Sequence, residues 1–246
     1  MKKSTGDKLR FKRVLLKLSG EVLGNPETGE CLDPQRLAAM AERVASVRAM
    51  GVQTGLVVGG GNIFRGLSGA EGGTDRVTGD SMGMLATVIN ALALSSALGR
   101  IGVPSAVMTA TPMPKFAELF DARRAVELLE AGVTCLFAGG TGNPFFSTDS
   151  GAALRAAEIK ADALLKATKV DGVYTADPRK DPSATRYAHL DYATAISKRL
   201  KVMDAAAFAL CMDNSIPIIV FDFFRDGAFE RVVSGEDEGT VVDGNP

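Results

Sequence analysis

Short apolar runs alternate with segments of helical pattern along most of this chain, and that alternation limits the possible folds more than any other feature. Arg13 to Ser19 is a short apolar run that Lys17 interrupts near its carboxyl end. A helix is predicted from Pro34 to about Met50, with Asp33 as its N-cap and Gly51 as the residue that terminates it. Strands that alternate with helices of this length favour a mainly parallel sheet.

The same alternation continues to the end of the chain. Further helices are predicted at Ser81 to Arg100, at about Arg123 to Glu130, from the residue after Asp149 to Ala161, and at Asp204 to Asp213. Further strands are predicted at Thr54 to Val58, around Ser105 to Met108, at Val133 to Ala138, from Ala163 onward, and at Ile216 to Phe221, before a closing helix and strand. The sequence therefore predicts an α/β fold of three layers, in which helices cover both faces of a mainly parallel central sheet.

Length and composition indicate one domain. The chain has 246 residues, which suffices to bury well over half of the unfolded surface. No linker-like stretch or internal repeat divides it, so we predict a basic N-terminal tail at residues 1–12 and a single α/β domain at residues 13–246. The tail is not followed by the apolar stretch and cleavage site of a secretory signal.

Composition argues against several compartments and partners. Net charge is −1, from 28 basic and 29 acidic residues, so no global positive field holds nucleic acid or an anionic membrane. Cys31, Cys135 and Cys211 are odd in number and share no CxxC-like spacing, which argues against a disulfide framework and a zinc site. Polar residues interrupt the apolar segment Met84 to Leu98, which is shorter than the ~20 residues of a membrane span. We expect a packed helix there and a cytoplasmic protein.

Three glycine-bearing segments follow predicted strands, namely Lys17 to Gly20, Gly59 to Arg65 and Gly139 to Asp149. In an open α/β sheet, ligands collect beyond the carboxyl ends of the strands. Glycines let the backbone approach phosphate oxygens closely, and Lys17 and Arg65 could supply the positive charge that these oxygens require. The shared position at one edge of the sheet predicts a phosphate-binding site.

Each of these features also has a purely structural interpretation. The glycine triplet at Gly59 is compatible with a simple turn, the amine of Lys17 can extend to the surface, and Asp149 can be an ordinary first-turn or capping aspartate. The segment from Thr168 to Asp191 is predicted to be irregular or a hairpin, which in a compact domain is more often functional than idle.

Two common nucleotide-binding signatures are missing from the sequence. No GxxxxGKS or GxxxxGKT occurs, and no GxGxxG follows a strand, which disfavours a Walker A enzyme and a dinucleotide dehydrogenase. His189 is the only histidine, so histidine-based metal hydrolysis and a Ser/His/Asp triad are also disfavoured. We expect His189 to be an exposed loop residue.

Seven segments together resemble the motif series of the bacterial UMP kinases, a branch of the amino acid kinase family. They are Lys17-Leu18-Ser19-Gly20-Glu21, Gly59 to Gly66, Gly79 to Met84, Gly140 to Asp149, Lys166 to Tyr174, Asp177-Pro178 and Leu200 to Asp204. The similarity runs from about Arg13 to Val242, and the GTGNPFF segment is the most specific to the UMP branch. The resemblance implies the amino acid kinase type of three-layer fold.

The resemblance also implies roles for the matched positions. For catalysis they are Lys17, Asp149, Arg65 and Asp204. For ATP they are Lys17, Leu18, Ser19, Gly20, Gly61 and Arg65, with Thr168, Tyr174 and Asp177 on the adenosine side. For UMP they are Gly60, then Asp80 at the ribose, and the run Thr141, Gly142, Asn143, Pro144, Phe145, Phe146, Ser147 and Thr148.

The implied reaction moves the γ-phosphate of ATP to UMP, giving UDP and ADP in pyrimidine nucleotide biosynthesis. Mg²⁺ would enter with ATP, without direct ligation by the protein. Such a transfer needs charge neutralisation and in-line positioning more than a general base, because the UMP phosphate is already a nucleophile. The family further implies a homo-oligomer, expected to be a hexamer, with GTP as an activator and UTP as an inhibitor.

Two alternatives stay open at this point. Another member of the amino acid kinase family, acting on a carboxylate, a carbamate or an isoprenoid phosphate, could share the lysine and the glycine turns. A nucleotide-binding regulator or storage protein on the same scaffold could bind without turnover, because fold does not fix function. Gly24 to Cys31 and Thr111 to Arg124 match the family only loosely, which weakens the expectations about effectors and subunit contacts more than those about catalysis.

Overall fold

The computed structural model describes residues 9–64, 73–178, 180–198, 200 and 203–244. Its strands are β1 (Arg13–Leu18), β2 (Gln53–Val58), β3 (Ser105–Thr109), β4 (Glu118–Leu119), β5 (Thr134–Ala138), β6 (Ala163–Thr168), β7 (His189–Asp191), β8 (Ile218–Asp222) and β9 (Thr240–Asp243). They form one sheet in the order β4-β3-β5-β2-β1-β6-β8-β9-β7. Only β8 and β9 pair antiparallel, so the predicted mainly parallel sheet is confirmed.

Helices cover both faces of this sheet. They are α1 (Pro34–Ala49), α2 (Arg76–Arg100), α3 (Ala122–Glu130), α4 (Thr148–Glu158), α5 (Tyr192–Ser197), α6 (Ala205–Asp213) and α7 (Ala228–Ser234), with a 3₁₀ turn at Gly20–Val22. Helices α1, α2 and α7 enclose one core, and α3 to α6 enclose the other. The predicted three-layer architecture is therefore confirmed.

The central strands supply both cores at once. Leu16 of β1 and Leu56 of β2 face the core under α1 and α2, whereas Leu15 and Val57 face the opposite core. Successive side chains of a strand point to opposite faces. A strand buried on both faces is therefore apolar throughout, which explains the unbroken apolar runs of the sequence.

Helix α1 has the local signals that the sequence predicts. The Asp33 carboxylate accepts hydrogen bonds from the backbone N–H groups of Gln35 and Arg36, which fulfils its role as N-cap. Pro34 takes the first helical position, where a missing N–H costs nothing. Gly51 follows the helix with φ of +91°, a left-handed conformation that favours glycine.

Two helix boundaries differ from the prediction by three residues or more. Helix α2 begins at Arg76 rather than Ser81, because the Asp75 carboxylate caps the N–H groups of Val77 and Thr78. Helix α4 ends at Glu158 rather than Ala161. A backbone hydrogen bond of 2.9 Å from Ala161 N–H to the Ala156 carbonyl closes the helix, in the manner of a Schellman motif.

Short edge strands were not predicted. Strand β4 has two residues and β7 has three, and segments this short show no period in the sequence. His189 is exposed as expected, but the prediction of a loop was wrong, because it lies in β7. Its Nε2 is 2.8 Å from Oδ1 of Asp243 on β9.

Helix α2 is the one described helix that is long and apolar enough, by length and composition, to cross a membrane. Of its most apolar 18-residue window, 44% is buried inside the protein. Core helices meet the same criteria, so this finding does not assign a membrane. The segment Met84 to Leu98 is helical as predicted, and Leu94 and Leu98 are fully buried.

Candidate active site

The carboxyl ends of β5, β2, β1 and β6 lie side by side at one edge of the sheet, because these strands are parallel neighbours. The three glycine-bearing segments of the sequence follow β1, β2 and β5, so they meet at this edge. Lys17 of β1 is paired in register with Lys166 of β6. The topology thus brings two strand lysines together beside the glycine turns.

Lys17, Lys166 and Asp149 form a buried charged cluster. Nζ of Lys17 lies 2.8 Å from Oδ1 of Asp149, and Nζ of Lys166 lies 2.7 Å from Oδ2. Their side chains are only 13%, 15% and 14% exposed, respectively. Two cations share one carboxylate, so the cluster has a net positive charge that suits an anionic ligand.

The cluster shifts the ionisation of its members. Burial opposes the charged form of Asp149, but the attraction of Lys17 and Lys166 outweighs it and lowers the pKa of this carboxyl below its ordinary value. Burial lowers the pKa of Lys166, and the like charge of Lys17 lowers it further, against the attraction of Asp149. Asp149 therefore stays ionised at neutral pH. Lys166 loses its proton more readily than an exposed lysine, because it is buried.

Two helix N-termini meet beside this cluster. Ser147 caps α4, since its hydroxyl accepts from the N–H groups of Asp149 at 3.0 Å and Ser150 at 3.2 Å. Asp204 caps α6 by accepting from Ala207 N–H at 2.8 Å. The hydroxyl of Ser150 donates to Asp204 at 2.9 Å and the hydroxyl of Ser147 donates to it as well. Asp204 thus joins two helix ends that favour anions.

A cleft of about 550 Å³ lies between α2, the glycine turn after β2 and the loop after β5. We call it the α2 cleft. It is lined by Gly60, Gly61, Phe64, Arg76, Gly79, Asp80, Gly83, Met84, Thr87, Gly140, Thr141, Asn143, Phe145, Phe146, Ser147, Thr148, Ser150, Asp204 and Ala206. Of the residues predicted for UMP, only Gly142 and Pro144 are outside this lining.

Asp80 holds one wall of the α2 cleft in place. Its carboxylate contacts Nε of Arg76 at 2.8 Å and accepts from Phe145 N–H at 2.7 Å. Burial works against the ionised form, but the Phe145 N–H and Arg76 lower the pKa of Asp80 below its ordinary value. The Arg76 guanidinium also lies 5.7 Å from the centre of the Phe145 ring. Asp80 therefore orders the loop after β5 even without a ligand in the cleft.

A second cleft of about 610 Å³ lies along β6, on the other side of the charged cluster. We call it the β6 cleft. It is lined by Lys166, Thr168, Val170, Gly172, Val173, Tyr174, Thr175, Ala176, Asp177, Pro178, Lys198, Leu200 and Val220. The Tyr174 hydroxyl donates to Asp171 at 2.7 Å, and that bond raises the pKa of the phenol. Thr168, Tyr174 and Asp177, predicted for ATP, line this cleft together.

The charged cluster connects the two clefts. Lys166 lines the β6 cleft, while Thr148 and Ser150, the neighbours of Asp149, line the α2 cleft. Lys17 and Asp149 line neither cleft themselves, but they contact or adjoin residues that do. This arrangement fits the transfer of a charged group from one bound molecule to another.

Several predicted residues have other positions. Leu18 is buried in the core, and Ser19 caps the 3₁₀ turn. A Cβ on Gly20 would lie 2.2 Å from the Gly59 carbonyl oxygen, so Gly20 permits two turns to touch. Gly61, predicted for ATP, lines the α2 cleft and not the β6 cleft. Arg65 lies outside the described residues.

Lys166 begins one of the family motifs, but no role was predicted for it from the sequence. The signal that identified Lys17 was present here too, because Lys166 also interrupts a buried apolar strand near its carboxyl end. Arg76 was missed as well, since the predicted helix began after it. Nothing in the local sequence pairs Arg76 with Phe145.

The described residues contain no group of three or more His, Cys, Asp or Glu side chains that could hold a metal ion. Both carboxylate oxygens of Asp149 contact lysines, and those of Asp204 accept from serines and a backbone N–H. These carboxylates do not form a ready ligand set for Mg²⁺. A metal that accompanies a polyphosphate fits this site better than one bound by the protein alone.

The chain is similar to known proteins along nearly its whole length. The profile of the amino acid kinase family matches residues 12–222. Uridylate kinase of Porphyromonas gingivalis is 55% identical over 233 residues, covering 94% of this chain and 97% of the relative. The crystal structure of UMP kinase from Bacillus anthracis has a TM-score of 0.93 at 39% identity, covering 96% of this chain and 97% of that one. The crystal structure of UMP kinase from Ureaplasma parvum has a TM-score of 0.89 at 36% identity, covering 96% of this chain and 100% of that one.

Proposed function

Because this chain belongs to the amino acid kinase family and its full-length relatives are uridylate kinases, we propose that it transfers the γ-phosphate of MgATP to UMP. The products are UDP and ADP, and the place of the reaction is pyrimidine nucleotide biosynthesis. The Lys17–Asp149–Lys166 cluster between two clefts is the observation that carries this proposal.

Each cleft is assigned to one substrate. UMP occupies the α2 cleft, with its phosphate toward the N-termini of α4 and α6 and its nucleoside toward Asp80 and Phe145. Adenosine occupies the β6 cleft beside Thr168 and Tyr174. The support is that eight of the ten residues predicted for UMP line the α2 cleft, and that the three predicted for the adenosine side of ATP line the β6 cleft.

The transfer requires correct positioning of the two substrates and neutralisation of their charge, and it involves no covalent intermediate with the protein. An oxygen of the UMP phosphate attacks the γ-phosphorus of ATP, and the bond from that phosphorus to the bridging oxygen of ADP breaks. Lys17 and Lys166 neutralise the charge on the transferred group, in a site where burial strengthens their effect. Asp149 holds both ammonium groups in place and stays ionised.

The ATP phosphates would carry Mg²⁺, which would supply neutralisation of part of their charge. No described residue is assigned as its direct ligand. Arg65 is proposed as a further phosphate contact from its match to the family motif alone, because it lies outside the described residues.

The wider proposals concern the state of the protein in the cell. We propose a cytoplasmic homo-oligomer, expected as a hexamer, with residues 13–246 as a single domain and with GTP and UTP as activator and inhibitor. An exposed apolar stripe on α2 supports self-association; it consists of Val77, Met82, Leu85, Ile89 and Leu92. The hexamer and the effectors rest on the family resemblance.

A coupled assay of ADP release tests the proposed function. MgATP is offered with UMP, CMP, dUMP, N-acetylglutamate or carbamate in separate reactions, and GTP or UTP is then added to the active pair. We expect turnover with UMP. Turnover only with a carboxylate or carbamate would identify a different amino acid kinase, and nucleotide binding without turnover would identify a regulator.

A further inference from the structure

Two polar residues are buried on the side of α2 that faces the sheet. Asn90 is fully buried and Thr87 is 5% exposed. A polar side chain in such a place is stable only if its hydrogen bonds are made. Each of these two makes its bonds to a different glycine-bearing loop of the candidate active site.

Asn90 and Asn62 form a reciprocal pair of side-chain amides. Asn90 Nδ2 donates to Asn62 Oδ1 at 2.8 Å, and Asn62 Nδ2 donates to Asn90 Oδ1 at 3.0 Å. The second proton of Asn90 goes to the Gly59 carbonyl at 2.6 Å, and that of Asn62 goes to the Cys31 carbonyl at 2.7 Å. All four amide protons are used. The pair therefore holds the backbone carbonyls of Gly59 and Cys31 in place.

The bond from Asn90 to Gly59 fixes the direction of a neighbouring donor. The Gly59 carbonyl and the Gly60 N–H belong to one planar trans peptide, and they point in opposite directions. Gly60 lines the α2 cleft and packs directly on α2, where a Cβ would lie 2.7 Å from the Gly83 carbonyl oxygen. Asn90 therefore orients the glycine turn after β2 from behind.

Thr87 acts in the same way on the other loop. Its hydroxyl accepts from Gly139 N–H at 2.8 Å and donates to the Met84 carbonyl at 2.6 Å. Gly139 has φ of +76° and precedes Gly140, which lines the α2 cleft. The loop after β5 thus begins from an anchor on α2.

We propose that Asn90 and Thr87 are positioning residues for phosphoryl transfer, one for each glycine-bearing loop of the α2 cleft. The inference rests on the proposed function for the identity of the substrates. Asn90, through the Gly59–Gly60 peptide, sets a turn beside the start of α4, where a Cβ on Gly59 would lie 3.5 Å from the Thr148 hydroxyl oxygen. Asp149 follows Thr148 and holds both lysines, so we infer that the turn borders the transferred phosphate and that loss of Asn90 affects kcat. Thr87 sets the start of the loop after β5, and the residues from Thr141 to Thr148 are the ones predicted for UMP, so its loss affects the KM for UMP.

A double-mutant cycle tests the role of Asn90. We expect Asn90→Ala to lower kcat by about 10- to 100-fold, since a small misplacement of a phosphate donor has this effect. Because the amide pair acts as a unit, Asn62→Ala with Asn90→Ala should lower kcat no further than Asn90→Ala alone, within about twofold. A kcat of folded Asn90→Ala within about twofold of wild type, or fully additive losses, would overturn the inference.

Asn62→Ala keeps the test available should Asn90→Ala not fold, because Asn62 is only half-buried. This variant removes one partner from Asn90 and leaves the helix core intact, so we expect a fall in kcat of the same kind. An unchanged kcat would count against the pair.

The role of Thr87 has its own matched set of variants. Thr87→Val keeps the shape and removes the hydroxyl, and we expect the KM for UMP to rise about fivefold while kcat and the KM for ATP change less than about twofold. Thr87→Ser should restore the wild-type KM. Thr54→Val is the control, since Thr54 is also buried, but within the part of the chain that the structure describes its hydroxyl bonds only to the Val52 carbonyl, at 3.4 Å.

The two proposals fail in different ways. Wild-type protein that does not phosphorylate UMP would refute the proposed function, and the variants would then be compared on the acceptor that wild type does use. Ratios of variant to wild type near one on that acceptor would overturn the positioning inference by itself.

Discussion

At the scale of single residues, the two lysines at the carboxyl ends of β1 and β6 are the least expected feature of the core. Burying an ammonium group is costly unless a counter-charge accompanies it. Asp149 provides that counter-charge for both Lys17 and Lys166. Removing Asp149 would leave two buried cations side by side, whereas removing either lysine leaves a neutral pair.

We expect Lys17→Met to abolish UDP formation, with a loss in kcat of at least about 100-fold, because a preorganised cation at the transferred group is removed. The fold should survive, since Asp149 keeps Lys166 as its partner. Steady-state kinetics and circular dichroism measure the two effects. Lys115→Met, at an exposed lysine, is the control. Near-normal turnover of folded Lys17→Met would remove Lys17 from the mechanism.

The lowered pKa of Lys166 predicts a pH dependence. As pH rises through the folded-state pKa, which lies below 10.5, the ammonium is lost and kcat should fall. The folded state binds fewer protons than the unfolded state between the folded-state pKa and 10.5, so the free energy of unfolding should rise in that window. Profiles of kcat and of thermal unfolding measure both.

The variant Lys166→Arg tests that assignment, because a guanidinium keeps its charge throughout the alkaline range. Its alkaline fall in kcat should disappear or move to higher pH. An unchanged alkaline limb in an active variant would assign the titration to another group. Lys166→Met should likewise lose the alkaline rise in the free energy of unfolding.

At the scale of elements, the candidate site is made where helices begin. Helix α4 starts at Thr148 and α6 at Ala205, and Asp204 bonds the first turns of both. The N-terminal N–H groups of a helix attract anions. We propose that Asp204 contributes to activity by holding these two helix ends in place, without a contact to the reacting atoms.

We therefore expect Asp204→Ala to lower both stability and activity. Loss of the cap should cost about 1 kcal/mol in the free energy of unfolding, and release of Ser147 and Ser150 should lower kcat. Asp121→Ala is the matched control, because Asp121 caps α3 by accepting from Arg124 N–H at 2.8 Å and lines neither cleft. Chemical denaturation and steady-state kinetics should separate the two variants. If Asp204→Ala and Asp121→Ala have the same kcat, Asp204 has no part in activity.

At the scale of the whole molecule, α2 has two different surfaces. Its buried side anchors the loops of the α2 cleft, while its exposed side carries the apolar stripe, with exposures from 37% to 51%. From Met82 to Leu92 the residues of the stripe are three or four positions apart, and such spacings form one continuous face of a helix. Such a face on a protein surface indicates an interaction site, and the family resemblance makes a second copy of the chain its expected partner.

Two charges in the stripe should disrupt the assembly. We expect the double variant Leu85→Glu with Ile89→Glu to sediment or scatter light as a smaller species than wild type, with its helix content retained. Met212→Glu, at an exposed apolar residue of α6, should leave the mass unchanged. A double variant of wild-type mass would place the interface elsewhere.

Much of the fold was predictable because its signals are local. The apolar runs, the Asp33 cap and the glycine after α1 depend on residues that are close in sequence, and they place β1, β2 and α1 almost to the residue. The start of α2 was harder, since glycine and threonine in its first turns weaken the helical pattern. The end of α4 was also missed, because Lys160 adopts a positive φ of 55° at a position that glycine usually marks.

By itself, the sequence determined the order of the longer strands and helices, without the short β4, β7 and α5, together with the parallel sheet and the presence of Lys17 and the glycine segments at one edge. Tertiary structure alone decided that Lys166 shares Asp149 with Lys17, that Asp204 joins two helix ends, and that α2 holds both loops. The physical reason is that periodicity and capping act within a few residues. Ion pairs and buried hydrogen bonds join groups far apart in the chain, and they exist only after the strands have paired.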